Sequence, residues 1–140
     1  MQLITLNGMA YDDAAHAVIL PTMAGEITVL GHHEPLMSAL KPGVITIRRD
    51  ANDADSKLQQ YATYGGVVEI AHDTVRVLVD EADYGDEINE QEAIAARQEA
   101  ERLKASAKNQ QEMEHAQSMM DRHAVRVRVA EIRRSNRRRS

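Results

Sequence analysis

Apolar positions divide the chain into two stretches with different periods. In "TVRVLVD", Val75, Val77 and Val79 alternate with Arg76 and Leu78, giving an extended segment one apolar face and one half-exposed face. Short runs rich in Val, Ile, Thr and Tyr recur at 2–6, 17–20, 26–30, 44–48, 57–64, 67–70 and 74–79. Turn signals separate them: Asn7-Gly8, Pro21, Ala24-Gly25, Pro42-Gly43, Gly65-Gly66 and His72-Asp73. Strands at this spacing, with no long helix between them, predict antiparallel pairing in an all-β sandwich of roughly eight to ten strands.

Beyond about residue 87 glycine is absent and the period lengthens. In "NEQEAIAARQEAERLKASA", Ala93, Ala96, Ala100, Leu103 and Ala107 recur at spacings of 3 and 4, a seam of mostly small side chains on one helix face. Asn89 with Glu92 forms a capping box, and Arg97 with Glu101 and Glu99 with Arg102 are helix-supporting charge pairs. A polar break at 106–111 leads to a second segment with Met113, Ala116, Met120 and Val127 on a similar stripe. Its end, "AVRVRVAEI", alternates as a strand would and is rich in β-branched residues; we read it as helix. The expected organisation is a β-sandwich domain, residues 1–84, and an α-helical hairpin with a basic tail, residues 85–140. An alanine seam buries little area, and at about 25 cal/mol per Å² it holds a hairpin weakly. Such a hairpin can separate or dock elsewhere at modest cost.

The length of 140 residues suits one compact domain plus an appendage. With no Trp, no Phe and four Tyr, the core must be built from aliphatic side chains. The absence of cysteine excludes disulfides, thiolate nucleophiles and cysteine-based zinc sites, and fits a reducing compartment. No run approaches the roughly 18 apolar residues of a membrane span, and "MQLITLNGMAYDD" lacks the basic region and apolar core of a signal peptide. The expectation is a soluble, unexported chain, at most peripheral to a membrane. Charge is distributed unevenly: residues 1–120 carry 9 Lys/Arg against 20 Asp/Glu, whereas residues 121–140 carry 8 Arg against Asp121 and Glu131. A basic tail on an acidic body seeks an acidic partner. Nucleic acid fits poorly, since the body repels phosphates and aromatic side chains for stacking are nearly absent.

Candidate chemistry concentrates in "GHHEPL", residues 31–36. Side chains of adjacent residues on an extended segment point to opposite sides, so His32 and His33 would not readily share a metal ion, and Glu34 adds one ligand at most. No nucleophile or second positioned acid lies nearby in sequence. A polar turn between strands and a surface on which something docks remain. Gly65-Gly66, without a following helix, reads as a tight connection between strands rather than a phosphate loop. The arginines at the end read either as a solvated terminus or as a binding tail.

Taken in order, Gly25-Glu26, then His33, Pro35 and Leu36 with Lys41-Pro42-Gly43, then Gly65-Gly66, then residues 75–82 leading into an alanine-rich hairpin, resemble the epsilon subunit of F-type rotary ATP synthases over nearly the whole chain. Thr28 stands where that family usually has glycine, and Gly31-His32 where it has Pro-Gly or a near equivalent, so the turn into the loop is expected to differ locally. The first thirty residues match only in strand pattern.

The resemblance implies a non-catalytic rotor subunit without a cofactor or a metal, held peripherally at the cytoplasmic face of the bacterial plasma membrane, touching the membrane only through its complex. Its sandwich would bind the gamma subunit and the c-subunit ring, coupling proton translocation to ATP synthesis. By match, Glu26 and His33 are the expected ring contacts, with Pro35 and Leu36 shaping the loop. The hairpin would restrain ATP hydrolysis in a state that contacts the beta and alpha subunits, with Arg122, Arg126, Arg128, Arg133 and Arg134 meeting acidic segments of the beta subunits. Some members bind ATP in the hairpin through an Asp and an Arg early in the first helix and arginines on the second. Here Asn89 and Glu92 occupy the first pair of positions, and Arg122 and Arg126 keep the second. A rival from another class is a free-standing β-sandwich adaptor whose basic tail binds acidic partners. Co-purification of alpha, beta and gamma subunits discriminates between the two.

Overall fold

A computed structural model describes residues 1–139. The strands are β1 (Gln2–Thr5), β2 (Gly8–Asp12), β3 (Ala17–Thr22), β4 (Gly25–Val29), β5 (Leu36–Arg48), β6 (Gln59–Ala71), β7 (Thr74–Val79) and β8 (Ala82–Tyr84), and the helices are α1 (Glu90–Ala105) and α2 (Gln110–Arg139). Short 3-10 turns occupy Asp55–Lys57 and Gly85–Glu87. The strands form one hydrogen-bonded ladder in the order β2-β1-β7-β6-β5-β3-β4, with β8 on β6, folded over as a sandwich.

The two 13-residue strands are the hinge of this arrangement. The first half of β5 pairs with the second half of β6, Leu36 opposite Ile70, and its second half with the first half of β6, Ile47 opposite Gln59. This corrects the expectation that Pro42-Gly43 and Gly65-Gly66 are turns. Gly66 has φ +156 and a Cβ there would lie 2.3 Å from the Leu78 carbonyl oxygen, so glycine lets β6 bend without leaving β7. Pro42 and Pro21 also lie inside strands. They sit where the β3–β5 register shifts, between Ile19 and Thr22, and the missing side chain of Gly43 makes room for the Pro21 ring, whose Cβ would stand 2.8 Å from an added Cβ.

A second correction concerns strand direction: β1 runs parallel to β7, Leu3 opposite Val77. A short turn imposes antiparallel pairing only on strands adjacent in sequence, and the first and seventh strands are not so constrained. Strands β2 and β8 were not foreseen, because only Tyr11 of β2 is buried and β8 has three residues, all half-buried.

The core is aliphatic as composition required. Leu3, Leu20, Ile45, Ile47, Val68 and Val77 have no more than trace exposure, and Val75, Val77 and Val79 form the buried face of β7. Tyr61 and Tyr84 pack their rings 5.1 Å apart at the edge nearest the helices. Asn89 caps α1 by accepting from the Glu92 amide at 3.0 Å, and both foreseen charge pairs form, Arg97 with Glu101 at 3.7 Å and Arg102 with Glu99 at 2.6 Å. The alternating stretch near the end of the chain is helical: Val127, Val129 and Ala130 are buried on α2, which packs on α1 and across β5 and β6. The foreseen stripe holds at Ala93, Ala100, Ala116 and Val127, while Met113 is 38% exposed. Tertiary packing therefore overrides the weak helix propensity of the valines.

Candidate docking surfaces

The loop between β4 and β5 is braced from within. His32 adopts a left-handed conformation, φ 62, and its amide donates to Asp73 Oδ1 at 3.0 Å, tying the loop to the β6–β7 turn. His33 Nδ1 lies 2.7 Å from the Glu34 carbonyl oxygen. Its half-buried ring borders a crevice of about 320 Å³ that Met1, His16, Leu30 and Asp73 also line. Pro35 and Leu36 are exposed where β5 begins. Glu26 is exposed on β4 opposite Pro21. Glu26 and His33 therefore sit toward opposite ends of β4, which pairs with β3 and not with β5, and the fold does not gather these four residues into one cluster.

A second surface escaped sequence reading. Along the outer face of the sheet, cross-strand register places Ala39 beside Val67, Val67 beside Leu78, Leu78 beside Ile4 and Ile4 beside Met9. Val67 is 43% exposed and Leu78 50%, with Met37 and Leu6 still more open on the flanks. Gly65 and Gly66 floor an adjoining groove between Tyr64 and Leu6. A contiguous exposed apolar band is a mark of an interface. The available signal was Leu78, an apolar residue on the polar face of an alternating strand.

Four arginines of α2 already face carboxylates. Arg122 pairs with Glu81 and Arg133 with Asp86; Arg126 Nε lies 3.7 Å from Asp83 Oδ2, and Arg134 Nη1 lies 2.7 Å from Glu90 Oε1. Arg128 is exposed. The Arg122 guanidinium also stands over the Tyr64 ring, 4.3 Å from its centroid, and the Tyr64 hydroxyl donates to Asp83. Burial, then that hydrogen bond, raises the Tyr64 phenol well above its ordinary value, against the neighbouring Arg122 and Arg126 cations. His123 lies in the same neighbourhood, with Nδ1 buried and unpartnered. Burial, then Arg126 and Arg122, lower its pKa from the ordinary 6.5, opposed by Asp83. The arginines kept from the ATP-binding pattern, Arg122 and Arg126, thus face carboxylates here.

Residues 1–85 match the family model for the ATP synthase delta/epsilon chain β-sandwich domain. The chain is 34% identical over 133 residues to the ATP synthase epsilon chain of Trichodesmium erythraeum, covering 93% of each, and 28% identical over 135 residues to that of Herpetosiphon aurantiacus, covering 96% of each. Among solved structures, a chain of the Euglena gracilis mitochondrial ATP synthase superposes with a TM-score of 0.79 at 21% identity, over 93% of this chain and 79% of that one. No helix among the described residues is long and apolar enough to cross a membrane.

Proposed function

Because the chain belongs to the delta/epsilon chain family of ATP synthase, with epsilon chains as its relatives, we propose that it is a non-catalytic rotor subunit whose sandwich joins the gamma subunit to the c-ring and whose hairpin restrains ATP hydrolysis. The sandwich, residues 1–84, is the part that docks, and residues 85–140 are the part that moves. The observation that carries the reading is the apolar band through Val67, Leu78 and Ile4. Left open to water, such a band is an aggregation liability; covered by gamma, it becomes the apolar centre of an interface.

The ring contact is polar by contrast. Glu26 on β4, His33 and Pro35 in the loop that follows it and Leu36 at the start of β5 make the ring contact, and hydrogen bonds and charge there fix the register of the subunit on the ring while gamma supplies most of the affinity. The ladder from Glu26 on β4 to the band is continuous through β3, β5, β6 and β7, so torque taken up there crosses paired strands. When α2 extends, Arg122, Arg126, Arg133 and Arg134 exchange their internal partners, and with the exposed Arg128 they meet acidic segments of the beta subunits as the helix enters the catalytic head. A tagged copy of this chain, purified from membranes, should bring down alpha, beta and gamma in stoichiometric amounts and remain on the membrane face of the complex. Recovery of the tagged chain alone, or with acidic proteins unrelated to the motor, would favour the adaptor reading.

A further inference from the structure

We propose that the segment joining sandwich to hairpin, from Glu81 to Glu90, is a salt-sensitive clasp that holds α2 against the sheet. Its carboxylates and the arginines of α2 pair in step. As the segment runs from Glu81 through Asp83 and Asp86 to Glu90, its partners advance along α2 from Arg122 through Arg126 and Arg133 to Arg134. Two elements pairing in register over such a length make one zipper rather than scattered contacts.

A steric fit lies in the middle of the zipper. Gly85 is buried, and a Cβ there would come 2.7 Å from Arg133 Cδ, 2.9 Å from the Gln60 carbonyl oxygen of β6 and 3.0 Å from Val129 Cγ1. Glycine is therefore what lets the segment fit between α2 and β6. Arg133 is the deepest of the arginines, its side chain 14% exposed, and Nη1 also reaches Gln60 Oε1 at 3.3 Å, so the clasp grips β6 as well. The remaining contact between hairpin and body is thin, since the buried residues of α2 are valines and alanines. Where apolar area contributes little, the ion pairs and the Gly85 fit decide whether α2 stays down. The side chains of the other pairs are between 24% and 52% exposed, so dissolved ions reach them.

The clasp is a property of the free chain and stands or falls independently of any restraint on hydrolysis. Hydrogen exchange of the full chain, followed by mass spectrometry, tests it at about 0.01 M and about 1 M sodium chloride, between which the Debye length shrinks from about 30 Å to about 3 Å. The amides of α2 between Arg122 and Arg134 should exchange roughly five to ten times faster at high salt, with β5 and β6 unchanged. The charge-neutral variant Glu81→Gln/Asp83→Asn/Asp86→Asn should exchange at the fast rate in both salts. Gly85→Ala, which leaves every charge in place, should also release α2, with any loss of protection in the sheet confined to the neighbourhood of Gln60. Exchange across α2 that ignores salt in the wild type would overturn the clasp, as would acceleration of β5 and β6 in step with it, because the response would then be global unfolding.

Discussion

The Arg122 guanidinium lies 4.3 Å from the centroid of the Tyr64 ring while the Tyr64 hydroxyl donates to Asp83, so one side chain of β6 meets both the helix and the segment that clasps it. A cation over a partly exposed ring contributes about 0.5–1 kcal/mol. Tyr64→Leu and Arg122→Ala, singly and together, should show a coupling of that size in denaturant unfolding, since the cycle cancels the Arg122–Glu81 pair. Zero coupling would reduce the ring to a passive wall.

Acidification should loosen the hairpin. His123 is held below its ordinary value of 6.5 by burial first, then by Arg126 and Arg122 on its own helix, with Asp83 of β8 opposing. The docked form therefore binds fewer protons at this site than the released form. Its stability is intact above 6.5 and is lost as pH falls below that value. Exchange of the α2 amides between about pH 8 and about pH 5 should accelerate in the wild type and stay flat in His123→Gln; an equal response in both would assign the effect to other groups.

Replacing Glu26 and His33 together should weaken proton-coupled ATP synthesis while moving stability by no more than about 0.5 kcal/mol, because Glu26 is exposed and His33 bonds only within its own loop. A larger drop in the thermal midpoint would mean that the His33 ring supports the crevice beside Asp73 and that the residue is structural.

Deleting residues 121–140 should raise ATP hydrolysis by the assembled complex without reducing assembly, and high salt should have two opposing effects on the wild type: it frees α2 from its clasp and also screens the extended helix from its acidic partners. Steady-state assays at low and high salt separate the two, since only the wild type can respond through α2. Equal rates for both complexes at both salts would mean that the basic tail is a solvated end.

Several features were legible in the sequence. Alternation in residues 74–79 gave the buried face of β7, and Asn89 with Glu92 gave the start of α1 to the residue. What failed did so for nameable reasons. Gly65-Gly66 and Pro42-Gly43 carry the local signature of turns, and only the close approach of Gly66 to Leu78, a contact with a neighbouring strand, makes them bends inside strands. The parallel β1–β7 pair joins residues over seventy positions apart, such as Leu3 and Val77, which no local pattern encodes. The residues proposed for the ring contact could be named by match, but the separation of Glu26 from His33 by the length of β4 emerged only from the structure. The charge imbalance points the arginines to an external acidic partner, but it does not reveal that Glu81, Asp83, Asp86 and Glu90 hold four of them within the chain. Charge counted by segment records an imbalance and not who stands beside whom.

Binding to gamma is the most direct measure of whether this chain is a rotor subunit. In calorimetric titration with purified gamma, the wild-type chain should form a saturable one-to-one complex with a negative heat-capacity change, the mark of buried apolar surface. Val67→Lys/Leu78→Lys should abolish that complex with the β circular dichroism signal and thermal midpoint preserved. No heat of binding from the wild type, or undiminished affinity in the double variant, would contradict the assignment of the apolar band to gamma.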